Sequence, residues 1–133
     1  MAVQLSVAVR NARLDQIEST ISTSARLKIW TGTQPASCAT ADAGVQLADM
    51  TLPSDWMGGA AAGVKSLAGT WEDTSADNPG TAGHFRVYES TATTCHIQGS
   101  VGQGSGDLSL DNTTIAAGQT VTITQFDLID GNV

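Results

Sequence analysis

From residue 25 onward the chain has no stretch of helical period. Its apolar residues instead alternate in short runs, separated by clusters of Gly, Ser, Thr, Asn and Asp. Ala25, Leu27 and Ile29 alternate with Arg26, Lys28 and Trp30. Phe85 and Val87 alternate with His84, Arg86 and Tyr88, and Cys95, Ile97 and Val101 with His96, Gln98 and Ser100. Successive residues of a strand point to opposite faces, so this alternation describes half-buried strands. Two runs change parity midway. Val45 and Leu47 share one parity, Met50 and Leu52 the other; Val121 and Ile123 share one, Phe126 and Leu128 the other. A strand that changes parity carries a bulge or turns a corner between two sheets. Together these runs predict about seven or eight strands. The fold expected is mainly β: a β-sandwich, jelly-roll-like, preceded by one N-terminal α-helix.

The helix is expected within residues 3–21. Val3, Val7, Arg10, Leu14, Ile17 and Ile21 recur every three or four residues, and Ser6 can cap the first turn. Asp15 and Glu18 can pair with Arg13 or face water. Two uses of such a helix stay open: it lies on the sheet of its own domain, or it docks onto a partner. Residues 1–22 are therefore read as a helix and docking arm, and 23–133 as the β-sandwich domain.

The remaining segments are turns and links. The strand from Ala25 to Thr31 places Trp30 on an outer face. Residues 31–44 form a long loop of small residues, and such loops often carry function. Ser54 with Asp55 can start a helical turn. The Gly/Ala run 58–63 permits close backbone approach, either within the domain or to another chain. A short strand is expected over 66–72, a surface loop over 73–80, a hairpin turning at 90–94, and a Gly-rich link over 99–107.

Charge narrows the partners. Thirteen acids face six bases, a net charge of −7, and no basic cluster exceeds Arg26 with Lys28. An acidic chain repels phosphate backbones and anionic membrane surfaces, so neither is an expected partner. No apolar run approaches the ~20 residues a membrane helix needs. The N-terminal residues lack the basic-then-apolar order of a signal peptide. The chain is thus expected to be made in the cytoplasm and to remain there or leave inside a particle. In that compartment Cys38 and Cys95 would be half-buried thiols, with a bridge formed later in an oxidising medium as the alternative.

No catalytic, cofactor or metal site is expected. Cys95 and His96 are adjacent in one strand and point apart, so they cannot act as nucleophile and base. His84 and His96 are expected on the outer face of the hairpin as solvated imidazoles, too few to ligate a metal. The glycines between Gly99 and Gly106 precede a strand, whereas a phosphate cradle precedes a helix. Asp111, Asn112, Asp127 and Asp130 lack the spacing of a calcium loop. Trp30, Trp56 and Trp71 fit packing or interface roles better than a sugar-stacking platform.

Several phrases together resemble a known group. VAVRNARLDQIEST, TLPSDWM, AGTW, GTAGHFRVYES, TTCHIQGSVG and LDNTTIAAGQTVTIT resemble small proteins encoded by tailed phages, commonly near the capsid gene. Among these the chain is most similar to capsid decoration (cement) proteins. That resemblance implies a compact β domain on the outside of the shell, assembled in the host cytoplasm. Its implied partners are the major capsid protein and other copies of itself, as a trimer in the favoured case. Candidate interface residues are Val3, Val7, Arg10, Leu14 and Ile17 of the helical seam, with Trp30 and Trp56. The alternatives are a tail or fibre component of the virion, or a carbohydrate-binding module.

Overall fold

The structure is a computed structural model that describes residues 3–131. It holds one helix, α1 (Val7–Ile21), and nine strands: β1 (Arg26–Thr31), β2 (Gln46–Thr51), β3 (Val64–Ser66), β4 (Glu72–Asp73), β5 (Gly80–Tyr88), β6 (Cys95–Gly102), β7 (Leu108–Leu110), β8 (Thr114–Ile115) and β9 (Val121–Ile129). The strands form one curled, mixed sheet in the order β2-β1-β5-β6-β7-β9-β3, with β4 on β9 and β8 on β5. The chain is mainly β with one N-terminal helix, and its curled sheet is sandwich-like.

Helix α1 begins where its cap allows. Ser6 is extended, and its hydroxyl accepts from Val9 N at 3.2 Å. Ser22 ends the helix with φ 77. Leu14 and Ile21 are buried, and Ile21 belongs to the main core. Each such side chain contributes about 1.5–3 kcal/mol. The helix therefore shares a core with the sheet, and the exposed apolar residues of the helix, Val7 and Val9, lie on its first turn.

Both parity switches are bulges. Ile29 pairs with Ala48 but Trp30 with Gln46, so Leu47 is the extra residue of β2. Ser109 pairs with Gln125 but Leu110 with Ile123, so Thr124 is the extra residue of β9. In each case the bulge lets both parities reach the interior. The core gathers Leu27, Ile29, Leu47, Met50, Phe85 and Val87 from one side and Leu108, Val121, Ile123 and Phe126 from the other. Trp56, Trp71, Phe126 and Phe85 follow one another through it with ring centroids 5.5–5.9 Å apart.

Two expectations change. Residues 66–72 are not a strand: β3 and β4 flank a turn there, because Ala68 and Trp56 supply backbone acceptors for the Trp71 indole. Ser54 and Asp55 form a bend and not a helical turn. The free edge of β2 is covered by the end of β4 and the loop after it. Asp49 N donates to Asp73 Oδ2 at 3.0 Å, and Asp77 N to Leu47 O at 2.8 Å. Covering an edge removes a template for unwanted pairing.

The connection from β6 to β7 joins parallel neighbours through residues 103–107. Parallel neighbours ordinarily need a longer crossover. Here the chain doubles back on itself, and Asp107 returns beside Ser100, whose N–H and hydroxyl both donate to Asp107 Oδ2 at 2.9 and 3.0 Å. Gly104 and Gly106 supply the left-handed φ values of 69 and 80 that this reversal needs.

Candidate functional site

Three regions carry the polar and exposed chemistry. The first is the seat of α1. Lys65 is buried, and its ammonium donates to Asp15 Oδ1 (2.8 Å), Glu18 Oε1 (2.9 Å) and Gly58 O (2.9 Å). These use all three of its donors. Burial pushes the Lys65 ammonium down, but Asp15 and Glu18 outweigh it and hold the group above its usual range. The same hydrogen bond, with one from Ala60 N, holds Asp15 below the usual carboxylate range. The two helix acids therefore pair with Lys65, neither with Arg13 nor with water alone. Arg13 turns to Asp130 at 3.2 Å, and Arg10 Nη1 donates to Asp130 O at 3.1 Å. The Gly/Ala run receives the helix: Ala60 N donates to Asp15 and Gly63 N to Asn11 Oδ1. Gly63 has φ 75, and a Cβ there would collide with the Arg10 guanidinium and Asp130 O.

The second region is a strap, residues 32–44, laid across the face of β1, β5 and β6 expected to meet solvent. His84 is fully buried and Arg86 and Tyr88 nearly so, because the strap supplies their partners. His84 Nδ1 donates to Gly32 O at 3.0 Å, and its ring stacks on Trp30. The Arg86 guanidinium reaches Asp42 Oδ1 (2.7 Å), Ser37 O (3.1 Å) and Gln98 Oε1 (2.9 Å). Tyr88 donates to the same Asp42 oxygen at 2.7 Å. Burial first, and the Asp42 carboxylate second, hold the Tyr88 hydroxyl above its usual range. Burial pushes Asp42 up, but Tyr88 and Arg86 outweigh it and keep it below the usual carboxylate range. A disulfide between Cys38 and Cys95, Cα atoms 5.1 Å apart, ties the strap to β6. The two half-buried thiols are thus a bridge in this structure, and Cys95 is no nucleophile. His84 is no solvated imidazole, and His96 lies elsewhere, its Nε2 3.2 Å from Glu89 Oε2.

Glu89 organises the β5–β6 turn. It accepts from the Thr91 hydroxyl (2.8 Å) and from Thr93 N (2.6 Å) and Thr94 N (3.1 Å). Burial pushes it up, but these hydrogen bonds outweigh that and bring it from 4.5 down to about 2. A depressed carboxylate contributes stability above its unfolded value and loses it as pH falls through its folded value. Glu89→Gln is expected to cost about 1 kcal/mol near neutral pH, discounted for the partial exposure of the group. In denaturant melts that difference should shrink between pH 4.5 and about 2. A difference independent of pH would mean that the ionised carboxylate does not hold the turn.

The third region is exposed and apolar. Val3 is 83% exposed, and Val7 and Val9 are close to half exposed, on the first turns of α1 and the segment before it. Of the expected interface residues, Val3 and Val7 lie outside, while Arg10 and Ile17 are half-buried. Leu14, Trp30 and Trp56 are interior and cannot form a docking surface in this conformation. Leu14 is buried at the seat of the helix, Trp30 stacks on the buried His84 ring, and Trp56 donates from its indole to Ser22 O at 2.9 Å inside the core. Trp71 is buried as well, so the three indoles form no sugar platform.

Among the described residues no group of three or more His, Cys, Asp or Glu stands close enough to hold a metal. Asp111, Asp127 and Asp130 bond to Thr122 N, Ser66 and Arg13, in separate places. No described helix is long and apolar enough to cross a membrane. Scans against protein-family models, curated proteins and solved structures find no match for this chain.

Proposed function

We propose that this chain is a capsid decoration protein, bound to the outer surface of a phage head through its major capsid protein. The observation that carries this reading is an anchored helix whose apolar first turn is exposed. From Arg10 onward α1 is fixed by Arg10, Asn11, Leu14, Ile21 and the Lys65 ion pairs, while Val7 and Val9 on its first turn stay about half exposed. A rigidly held apolar projection suits docking, since its geometry is set before binding. The sequence resemblance supports the same reading. The net charge of −7 favours the outside of a shell over its DNA-facing interior. Many identical weak contacts repeated over a symmetric lattice stabilise a shell without catalysis.

The test is a paired substitution. Val7→Asp with Val9→Asp alters exposed positions, so circular dichroism and melting should match the parent within ~0.5 kcal/mol. Particles mixed with this variant should retain at least tenfold less of it than of the parent in a pull-down. Equal retention would remove the helix as the docking element.

A further inference from the structure

The strap and the face beneath it divide their hydrogen-bonding roles. Arg86 and Tyr88 each donate to the Asp42 carboxylate at 2.7 Å, and Arg86 also donates to Ser37 O at 3.1 Å. Gln98 Nε2 donates to Pro35 O at 2.8 Å, and His84 Nδ1 to Gly32 O at 3.0 Å. In each of these bonds the face is the donor. The strap offers it one carboxylate, from Asp42, and the main-chain carbonyls of Gly32, Pro35 and Ser37. Lys28 adds a second cation: it pairs with Arg86 across β1 and β5, and its ammonium lies 5.5 Å from the Tyr88 ring centroid. Donors arranged in this way suit an extended chain that bears an acid, since carboxylates and main-chain carbonyls are acceptors only.

Little else holds the strap. Pro35 is its one buried residue, Cys38 is half-buried, and the others are exposed. Its residues are small and mostly polar, so almost no apolar burial offsets the entropy of ordering it. Gly32 and Gly44 stand at its two ends with left-handed φ values of 80 and 91, where the backbone can swing. The Asp42 side chain is 39% exposed, so water already reaches its carboxylate. The disulfide to Cys95 is the covalent tie that pins the middle of the strap to the face. When the strap leaves, water supplies acceptors to Arg86, Tyr88 and His84, so opening strands no buried charge.

We propose that this face is a peptide-binding site, which the chain's own strap occupies while Cys38 and Cys95 are bridged and which their reduction opens. Its ligand is an extended segment of a partner protein, with one acid among small residues, the chemistry that Asp42 and its neighbours present to the face. The opening step is thiol–disulfide exchange with a dithiol. The Cys38–Cys95 bond breaks and both sulfurs become thiols. The dithiol gives up two electrons and two protons and leaves as a disulfide. A strap within the same chain competes with any partner at high effective concentration, and the bridge raises that concentration further. Reduction removes the part that the bridge adds, and the partner's segment then gains access. This inference stands whether or not the chain coats a shell.

The test adds a fluorescein-labelled peptide of residues 32–44, carrying Cys38→Ser, to the full chain. Its affinity, read by fluorescence anisotropy, should be at least tenfold higher for chain reduced with dithiothreitol than for oxidised chain. Asp42→Asn in the peptide should remove that gain. Arg86→Met in the chain should remove it too, with circular dichroism confirming the fold. Tyr88, the only tyrosine, reports opening independently. Its phenol titration, followed by absorbance, should fall from above the usual range in oxidised chain to about 10 in reduced chain. Equal binding to both forms, binding to neither, or binding indifferent to Asp42 would overturn the proposal. So would a Tyr88 titration unchanged by reduction. Loss of the β-sheet dichroism on reduction would also overturn it, because the bridge would then support the whole fold and gate nothing.

Discussion

Asp42→Ala is expected to destabilise the fold by about 3 kcal/mol. It removes the countercharge of a guanidinium that is 2% exposed, and breaking a buried pair leaves an uncompensated charge. Arg86 would keep Gln98 and the Ser37 carbonyl, which are acceptors without charge. Tyr88 would lose the acceptor of its hydroxyl at the same time. Replacing the pair with apolar residues removes the unpaired charge along with its partner. Asp42→Ala combined with Arg86→Met should therefore recover more than half of the loss, since such replacements of a buried ion pair are often neutral. Urea unfolding of the parent and the two variants measures both numbers. An Asp42→Ala cost below ~1 kcal/mol would show that water reaches Arg86 and that the strap is not a seal.

The second large effect belongs to the disulfide. Cys38 and Cys95 are 57 residues apart, and closing a loop of that length removes unfolded-state entropy worth roughly 4 kcal/mol. Cys38→Ser with Cys95→Ser, or reduction of the parent chain, should lower stability by about that amount, read from denaturant midpoints with and without reductant. The loss should also couple to Asp42. Both Ser37 O and Asp42 reach Arg86 from the segment that the disulfide pins, so the Cys and Asp42 variants together should cost less than their sum. Strict additivity would mean that the bridge and the Arg86 contacts act separately. A reductant effect below ~1 kcal/mol would contradict the bridge as a stabilising element.

What could be read from the chain and what could not divides along sequence distance. Ser6 caps a helix three residues ahead, and alternation in β1, β5 and β6 is a property of neighbouring residues. The parity switches at Leu47 and Thr124 were also legible, because a bulge changes the period of the strand that carries it. The fate of the outer faces was not. Alternation distinguishes two faces of a strand, but it does not say whether the second meets water. Arg86 and Tyr88 read as solvated because their partner, Asp42, is 44 and 46 residues away. Trp30 was misplaced for the same reason, since the His84 ring it stacks on comes from a strand more than fifty residues later and is itself buried. Nothing in the local sequence marks Lys65 as buried, because its partner Asp15 lies 50 residues before it. Of the expected docking residues, the helical period found those on α1 but could not tell Val7, which faces outward, from Leu14, which faces in.

Decoration makes one quantitative demand, and copy number in purified particles meets or breaks it. Particles banded on a density gradient are resolved by gel, and this chain is compared with the major capsid protein by densitometry. A decoration role requires a ratio near a simple fraction or multiple of the capsid subunits, as one chain per repeated lattice site must give. A handful of copies per particle would place it in the tail or at a vertex, and its absence from particles would contradict a virion role altogether.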